Sequence, residues 1–183
     1  MQRRLMSWAG LSGALLFVLS VIIGGWQFNG YSHTEQFISE TYASGTSAGP
    51  LLRWLGFLPA GLLMAAFGLV LSGSYHTNPS LRWGLVGIGI WYGLGTVVVS
   101  LAPCDAGCDP EQATPSLAHV IHFAMGGLTY LLTPPSILLI AFGATRETRL
   151  RAISPWLMGA GLVMLSAVVL LFADALPGAK GLV

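Results

Sequence analysis

The residues best suited to chemistry are two histidines in the second half of the chain, His119 and His122. Residues three apart on a helix share one face, and a rise of about 1.5 Å per residue places His122 about 4.5 Å deeper than His119. Ser116 or Thr114 is predicted to cap the start of this helix. Because an ionisable group in apolar surroundings is costly unless it faces protein or a wet cavity, we expect both rings to point inward.

Other polar residues offer partners for this histidine pair. Two histidines and a carboxylate are a ligand set for zinc or another transition metal that leaves a position open for water. The predicted metal ligands are His119, His122 and His33, and a metal-bound water would be a hydrolytic nucleophile. Without a metal, a histidine beside a carboxylate would act as a general base. The predicted catalytic group is therefore His119, His122, Asp105 and Glu40.

A structural role is the competing interpretation of the same residues. An HxxH pattern without a fixed third ligand is a weak motif, and histidines at a membrane boundary often only hydrogen-bond a loop. Acidic residues in such loops are often simply solvated. The competing prediction is a polar cluster that holds the loops together and carries no chemistry.

The only two cysteines, Cys104 and Cys108, lie in the segment before this helix. An oxidising compartment would favour a disulfide that closes a tight turn. Gly107 lies between them and is able to adopt a positive φ. Free thiols and a metal site that uses both sulfurs are the alternatives. A disulfide would remove the thiolate as a nucleophile.

The composition around these residues is that of a membrane protein. Of the 183 residues, 54% are hydrophobic and 8% are charged, whereas a soluble domain is about 25% charged. The mean hydropathy is +0.73. These values exclude a cytosolic globular enzyme, and a net charge of +1 excludes a nucleic-acid binder, which needs a basic surface.

Five stretches without charged residues are long enough to cross a hydrocarbon core of roughly 30 Å as helices. Helices are favoured over strands because the apolar runs are continuous and because a helix satisfies its own backbone in lipid. The chain is predicted to form one all-α transmembrane domain over residues 1–183, and Gly89 and Gly93 form a GxxxG pattern expected to pack helices within the chain. The predicted spans are 5–26, 54–75, 83–103, 117–145 and 152–173.

Basic residues predict the orientation of this bundle in the cell membrane. Arg82 and the arginines at 146–151 share one side with the N-terminus, and the positive-inside rule assigns that side to the cytoplasm. The loop with Cys104 and Cys108 is therefore expected outside. Acidic residues expected on the same outer side are Glu35, Glu40, Asp105, Asp109, Glu111 and Asp174.

The first outer loop carries a pattern for a short helix. Ser32 and Glu35 have the spacing of a capping box, which predicts a helix start. Phe37, Ile38 and Tyr42 would then lie near one face. A helix of this kind is expected to lie on the membrane surface.

Three strings in these loops resemble the family called domain of unknown function 998. They are Tyr31-Ser32-His33, Ile38-Ser39-Glu40 and Pro103-Cys104-Asp105-Ala106-Gly107-Cys108, followed by a histidine-bearing helix start. The resemblance covers residues 28–146. It implies a small polytopic membrane protein, chiefly prokaryotic, with these motifs on one side of the membrane, and it implies no activity. Members usually look like six-span proteins; with five spans the C-terminus would lie outside, and with six it would return to the cytoplasm.

Functions from three classes are consistent with these features. The first is a membrane-embedded enzyme acting on a lipophilic small-molecule substrate at the outer leaflet. The second is a non-catalytic module that binds membrane lipids or serves as an accessory subunit to a membrane-protein partner. The third, a transporter, is the least supported, because the span centres offer few polar groups beyond Tyr92 and Tyr130.

Overall fold

The computed structural model describes residues 2–172, and its regular secondary structure in that range is entirely helical. Five helices are long and apolar enough to cross a membrane, which confirms the predicted fold class. Asp174 and the last residue of the predicted fifth span lie outside the described residues. The helices are α1 (Gln2–Trp26), α2 (Gly49–Ser72), α3 (Pro79–Leu101), α4 (Leu117–Ala144) and α5 (Ser154–Phe172).

Two helices begin earlier than the apolar runs predicted. The second and third spans were expected to start after Arg53 and Arg82, but α2 begins at Gly49 and α3 at Pro79. The prediction started each of these spans after a charged residue, as if the charge could not belong to the helix. An arginine near a membrane boundary does not break a helix, because its aliphatic stem covers apolar surface while its guanidinium reaches the polar zone.

Helix α3 is the central element of the bundle, with 56% of its most apolar window buried. A Cβ on Gly89 would lie 2.7 Å from the Leu69 side chain, and a Cβ on Gly93 would overlap the backbone of Ala65. Glycine at these positions lets α2 and α3 approach at backbone distance. The predicted intramolecular role of the GxxxG pattern is confirmed.

A π-helical segment, Ile88–Leu94, interrupts the regular turns of α3. Such segments shift backbone carbonyls out of the usual α-helical ladder, and in lipid a freed carbonyl needs another donor. The Thr129 hydroxyl of α4 donates to the Trp91 carbonyl oxygen at 2.8 Å, and the Thr96 hydroxyl donates to the Tyr92 carbonyl oxygen at 2.7 Å. The Thr129 bond fixes α4 against α3 next to Tyr92, whereas the Thr96 bond lies within α3.

The loops at 27–48 and 102–116 meet at one end of the bundle, here called the disulfide end. The Ser44 amide donates to the Cys104 carbonyl oxygen at 2.9 Å and joins the two loops. At the opposite end, the buried Asn78 caps α3 and donates to the Gly143 carbonyl oxygen at 2.9 Å and to Glu147 at 3.1 Å. Helix α5 packs mainly against α4.

The capping box predicted at Ser32 does not form. The Ser32 hydroxyl pairs with Thr34 at 3.0 Å, and the Ser32 amide donates to the Gln36 side chain at 3.0 Å, so this segment is a turn. The short helix of the loop is a single 3-10 turn, Ile38–Tyr42. Glu40 stabilises its start by accepting from the Phe37 amide at 2.9 Å.

Candidate functional site

Cys104 and Cys108 form a disulfide, as the sequence predicted, with 5.2 Å between their Cα atoms. Gly107 adopts φ +82° and Cys108 φ +52°, so the turn uses the left-handed backbone conformation twice. Both cysteines are buried and pack against Ala43 and Phe123. The Cys108 Sγ lies 3.1 Å from the Ser39 Oγ, so the disulfide also contacts the 3-10 turn of the first loop.

His119 holds the second loop to the start of α4. Its Nδ1 accepts a hydrogen bond from the Asp105 backbone amide at 3.1 Å. A ring nitrogen that accepts carries no proton, so the neutral ring has its proton on Nε2. The ring is 3% exposed, and its own amide donates to the Ser116 hydroxyl at 3.2 Å, which confirms Ser116 as the helix cap.

The Asp105 carboxylate supports the same junction. Its Oδ2 accepts from the Ser116 amide at 2.8 Å and from the Gln112 side chain at 3.0 Å. The hydrogen bonds from Ser116, with smaller contributions from Gln112 and the nearby His119, hold the pKa of Asp105 below its ordinary value. The same oxygen lies 3.6 Å from His119 Nδ1. The two side chains form an ion pair only when His119 is protonated.

His122 has the opposite tautomer. Its Nδ1 lies 2.9 Å from the Ala102 carbonyl oxygen. A carbonyl only accepts, so Nδ1 carries the proton and Nε2 keeps its lone pair. Candidate ligand atoms of His122, Cys104 and Cys108 lie within 4.8 Å of one another. The two sulfurs are bonded to each other and are not thiolate ligands in this state.

The other residues of the predicted site lie elsewhere in the first loop. His33 packs edge-on against Tyr31, with ring centroids 4.9 Å apart, and contacts the α1 backbone at Gly25. Glu40 accepts from the Gln36 side chain at 2.8 Å in addition to its cap. Within residues 2–172, the one His, Cys, Asp and Glu group compact enough for a metal is the His122 group just described. The metal set of His119, His122 and His33 is not gathered there and stays a prediction.

A cavity of about 700 Å³ lies below these loops. The 3-10 turn and the segment around Pro110 and Glu111 cover it, and α1, α3, α4 and α5 form its walls. Most of its surface is apolar, and His122 is the member of the predicted catalytic group that lines it. Its polar lining residues within the membrane part are Tyr92, Thr96, His122, Thr129, Tyr130 and Thr133.

Three tyrosines and Thr133 are the hydroxyl groups of the cavity lining that matter most for a bound molecule. Thr133 is 4% exposed, and its Oγ1 has no hydrogen-bond partner among the described residues. Tyr130 lies within electrostatic range of Tyr42 and Tyr92. Burial, with a smaller effect of Tyr130, raises the pKa of Tyr42 above its ordinary value. Hydroxyl groups from two helices and the first loop therefore converge on one apolar space.

The family model described as "Protein of unknown function (DUF998)" matches residues 11–182. The chain belongs to this family. No curated protein and no solved structure matches the chain. The DUF998 match extends well beyond the loop strings that suggested the family, and it includes both loops and every described residue that lines the cavity.

Sequence reasoning missed the cavity of this DUF998 protein. Tyr92 and Tyr130 were visible as polar groups near span centres, but no spacing rule connects residues on different helices. Gly126 and Gly127 were an unused signal: both line the cavity, and a Cβ on either would meet no heavy atom within 4 Å. These two glycines leave space in the cavity that larger side chains would fill.

Proposed function

We propose that this protein binds a lipophilic small molecule in the cavity between α1, α3, α4 and α5, and does so without catalysis. The observation that carries the proposal is the cavity itself. A volume of about 700 Å³ lies within the range of about 300–1,000 Å³ that is usual for small-molecule sites. An apolar lining with few polar groups is also typical of such sites, and here it lies within the apolar helices.

The hydrogen bonds of the predicted catalytic residues favour binding over catalysis. Asp105 accepts from Ser116 and Gln112, Glu40 accepts from the Phe37 amide, and His119 accepts from the Asp105 amide. Each bond joins a loop to a helix start or closes a turn. This supports a role for these groups in building the cover of the cavity, and it leaves His122 as the one predicted catalytic residue on the cavity wall.

We also propose that the disulfide end faces the outside of a cell membrane. The arginines at 82 and 146–151 lie at the opposite end, which the positive-inside rule assigns to the cytoplasm. The Cys104–Cys108 disulfide supports the same direction, because disulfides persist in oxidising compartments. Thiol labelling of single-cysteine variants at each end in intact cells would test this orientation.

The binding proposal is tested by filling the cavity. Gly127→Leu places a side chain in space where a Cβ meets nothing within 4 Å. We expect purified wild-type protein to retain a lipophile in about one-to-one ratio, and this variant to lose it. The measurement is native mass spectrometry of detergent-purified protein, followed by extraction and identification of the bound molecule.

Gly159→Leu is the matched control. Gly159 lies on α5, is exposed, and also offers open space to a Cβ, but it is not part of the cavity wall. It should retain the bound molecule, and circular dichroism should give the same helix content for all three proteins. Equal retention by both leucine variants, or a wild type that retains nothing, would refute the proposal.

A further inference from the structure

We infer that the molecule bound in the cavity is an uncharged lipophile whose polar end carries carbonyl oxygens as hydrogen-bond acceptors. A quinone head group and an acyl ester are two sources of this chemistry. The inference rests on the proposed function and adds to it the chemical class of the ligand.

Thr133 is the first observation. Its neighbours on α3 and α4 direct their hydroxyls to helix carbonyls: Thr96 to Tyr92 at 2.7 Å, Thr129 to Trp91 at 2.8 Å, and Ser136 to Leu132 at 2.6 Å. The Thr133 Oγ1 has no such partner among the described residues, although the residue is 4% exposed. Buried hydroxyls are normally paired, so an unpaired hydroxyl on a residue that lines the cavity favours a ligand that supplies an acceptor.

The tyrosines are the second observation. Tyr31, outside the cavity, donates to the Phe37 carbonyl oxygen at 3.0 Å. In contrast, no residue within the described range accepts a hydrogen bond from the hydroxyls of Tyr42, Tyr92 or Tyr130, which all line the cavity. Phenol hydroxyls are donors as well as acceptors, so the cavity presents three more donors without acceptors.

The charge of the lining disfavours an anionic head group. The described lining residues include neither lysine nor arginine, and their one carboxylate, Glu111, is in the loop that covers the cavity. An anion placed beside Thr133 would be buried with no lysine or arginine in the described lining to neutralise it, which is unfavourable in apolar surroundings. A neutral carbonyl satisfies the donors without that penalty.

The test compares four probes on delipidated protein in detergent. Decylubiquinone and methyl oleate carry neutral carbonyls, hexadecane carries no acceptor, and sodium oleate carries a charge. We expect at least one carbonyl probe to bind about tenfold more tightly than hexadecane and oleate, as expected for one or two added hydrogen bonds. Binding of decylubiquinone alone would identify a quinone, and binding of methyl oleate alone would identify an ester.

Substitutions of the cavity hydroxyls test whether they cause the tighter binding of the carbonyl probes. The double variant Tyr130→Phe/Thr133→Val keeps the shape of the wall and should reduce carbonyl-probe affinity by about tenfold while leaving hexadecane binding unchanged. Ser136→Ala removes a hydroxyl from the same helix outside the cavity wall and should retain the preference. Retention of the preference by the double variant would overturn the assignment.

The remaining outcomes separate the two proposals. If hexadecane binds as tightly as the carbonyl probes, the cavity binds lipophiles and the inferred ligand class is wrong. If oleate binds most tightly, the uncharged assignment is wrong in the same way. If no probe binds and Gly127→Leu changes nothing, the proposed function itself fails.

Discussion

Replacing His119 with alanine separates a structural role from a metal or catalytic role. The ring is 3% exposed, lies 4.7 Å from the Phe123 ring centroid, and accepts from the Asp105 amide. The lost hydrogen bond is worth about 0.5–1.5 kcal/mol. Removal of a buried ring adds a cavity cost, so His119→Ala should lower the free energy of unfolding by about 2–4 kcal/mol in total.

The assay is reversible unfolding in mixed micelles followed by tryptophan fluorescence, with metal content measured by mass spectrometry on the same samples. His76→Ala is the control, because His76 is exposed in the turn before α3, and it should change the free energy by less than about 0.5 kcal/mol. The structural reasoning is refuted if His119→Ala unfolds like the wild type while one equivalent of zinc disappears. That result would restore the predicted metal site.

Three further predictions concern the disulfide end and the helix packing. Cys104→Ser should lower the free energy of unfolding by about 2 kcal/mol, since opening so short a loop releases little chain entropy; reduced wild type should match it under the same denaturant series. The depressed pKa of Asp105 contributes stability that is present above its unfolded pKa of about 4. That stability is lost as the pH falls through the folded pKa, so acid titration should shift the unfolding midpoint in wild type and less in Asp105→Asn. Gly93→Ala should destabilise by about 1–3 kcal/mol because its Cβ meets the Ala65 backbone, whereas Gly159→Ala should not; equal thermal midpoints would contradict the packing described.

The helices and the disulfide were predictable because their signals are local. Long apolar runs indicate a lipid environment directly. Cys104 and Cys108 are the only cysteines of the chain, so each has only the other as an intramolecular partner. The same logic located Ser116 as a cap. It failed at Ser32, where five consecutive polar side chains at 32–36 offered several turn geometries, and Gln36 supplied the bond that Glu35 was expected to make.

The candidate site was less predictable because its parts come from distant positions. Phe17, Tyr92, Tyr130 and Leu171 line one cavity, yet nothing in the sequence brings them together. The spacing of the histidine pair predicts a chemical site, but His119 accepts a hydrogen bond from the Asp105 backbone amide. A bond to the backbone leaves no signal in the residue types of the sequence. Residue types identified the polar groups, and only the packing of helices showed which of them share a space.

The attachment of α5 has a mechanical consequence for the cavity. Its first turn is fastened to α4 by the buried Ser154 hydroxyl, which donates to the Ala141 carbonyl oxygen at 2.9 Å, and beyond that point α5 packs mainly on this one neighbour. A tilt of α5 about this attachment would therefore be largest at the far end of the helix. At about 1.5 Å per residue, Leu171 lies about 25 Å from Ser154, so a tilt of about 10° would move it about 4 Å. Because Leu171 lines the cavity, a small angular change at Ser154 would change the width of the cavity near the opposite membrane boundary.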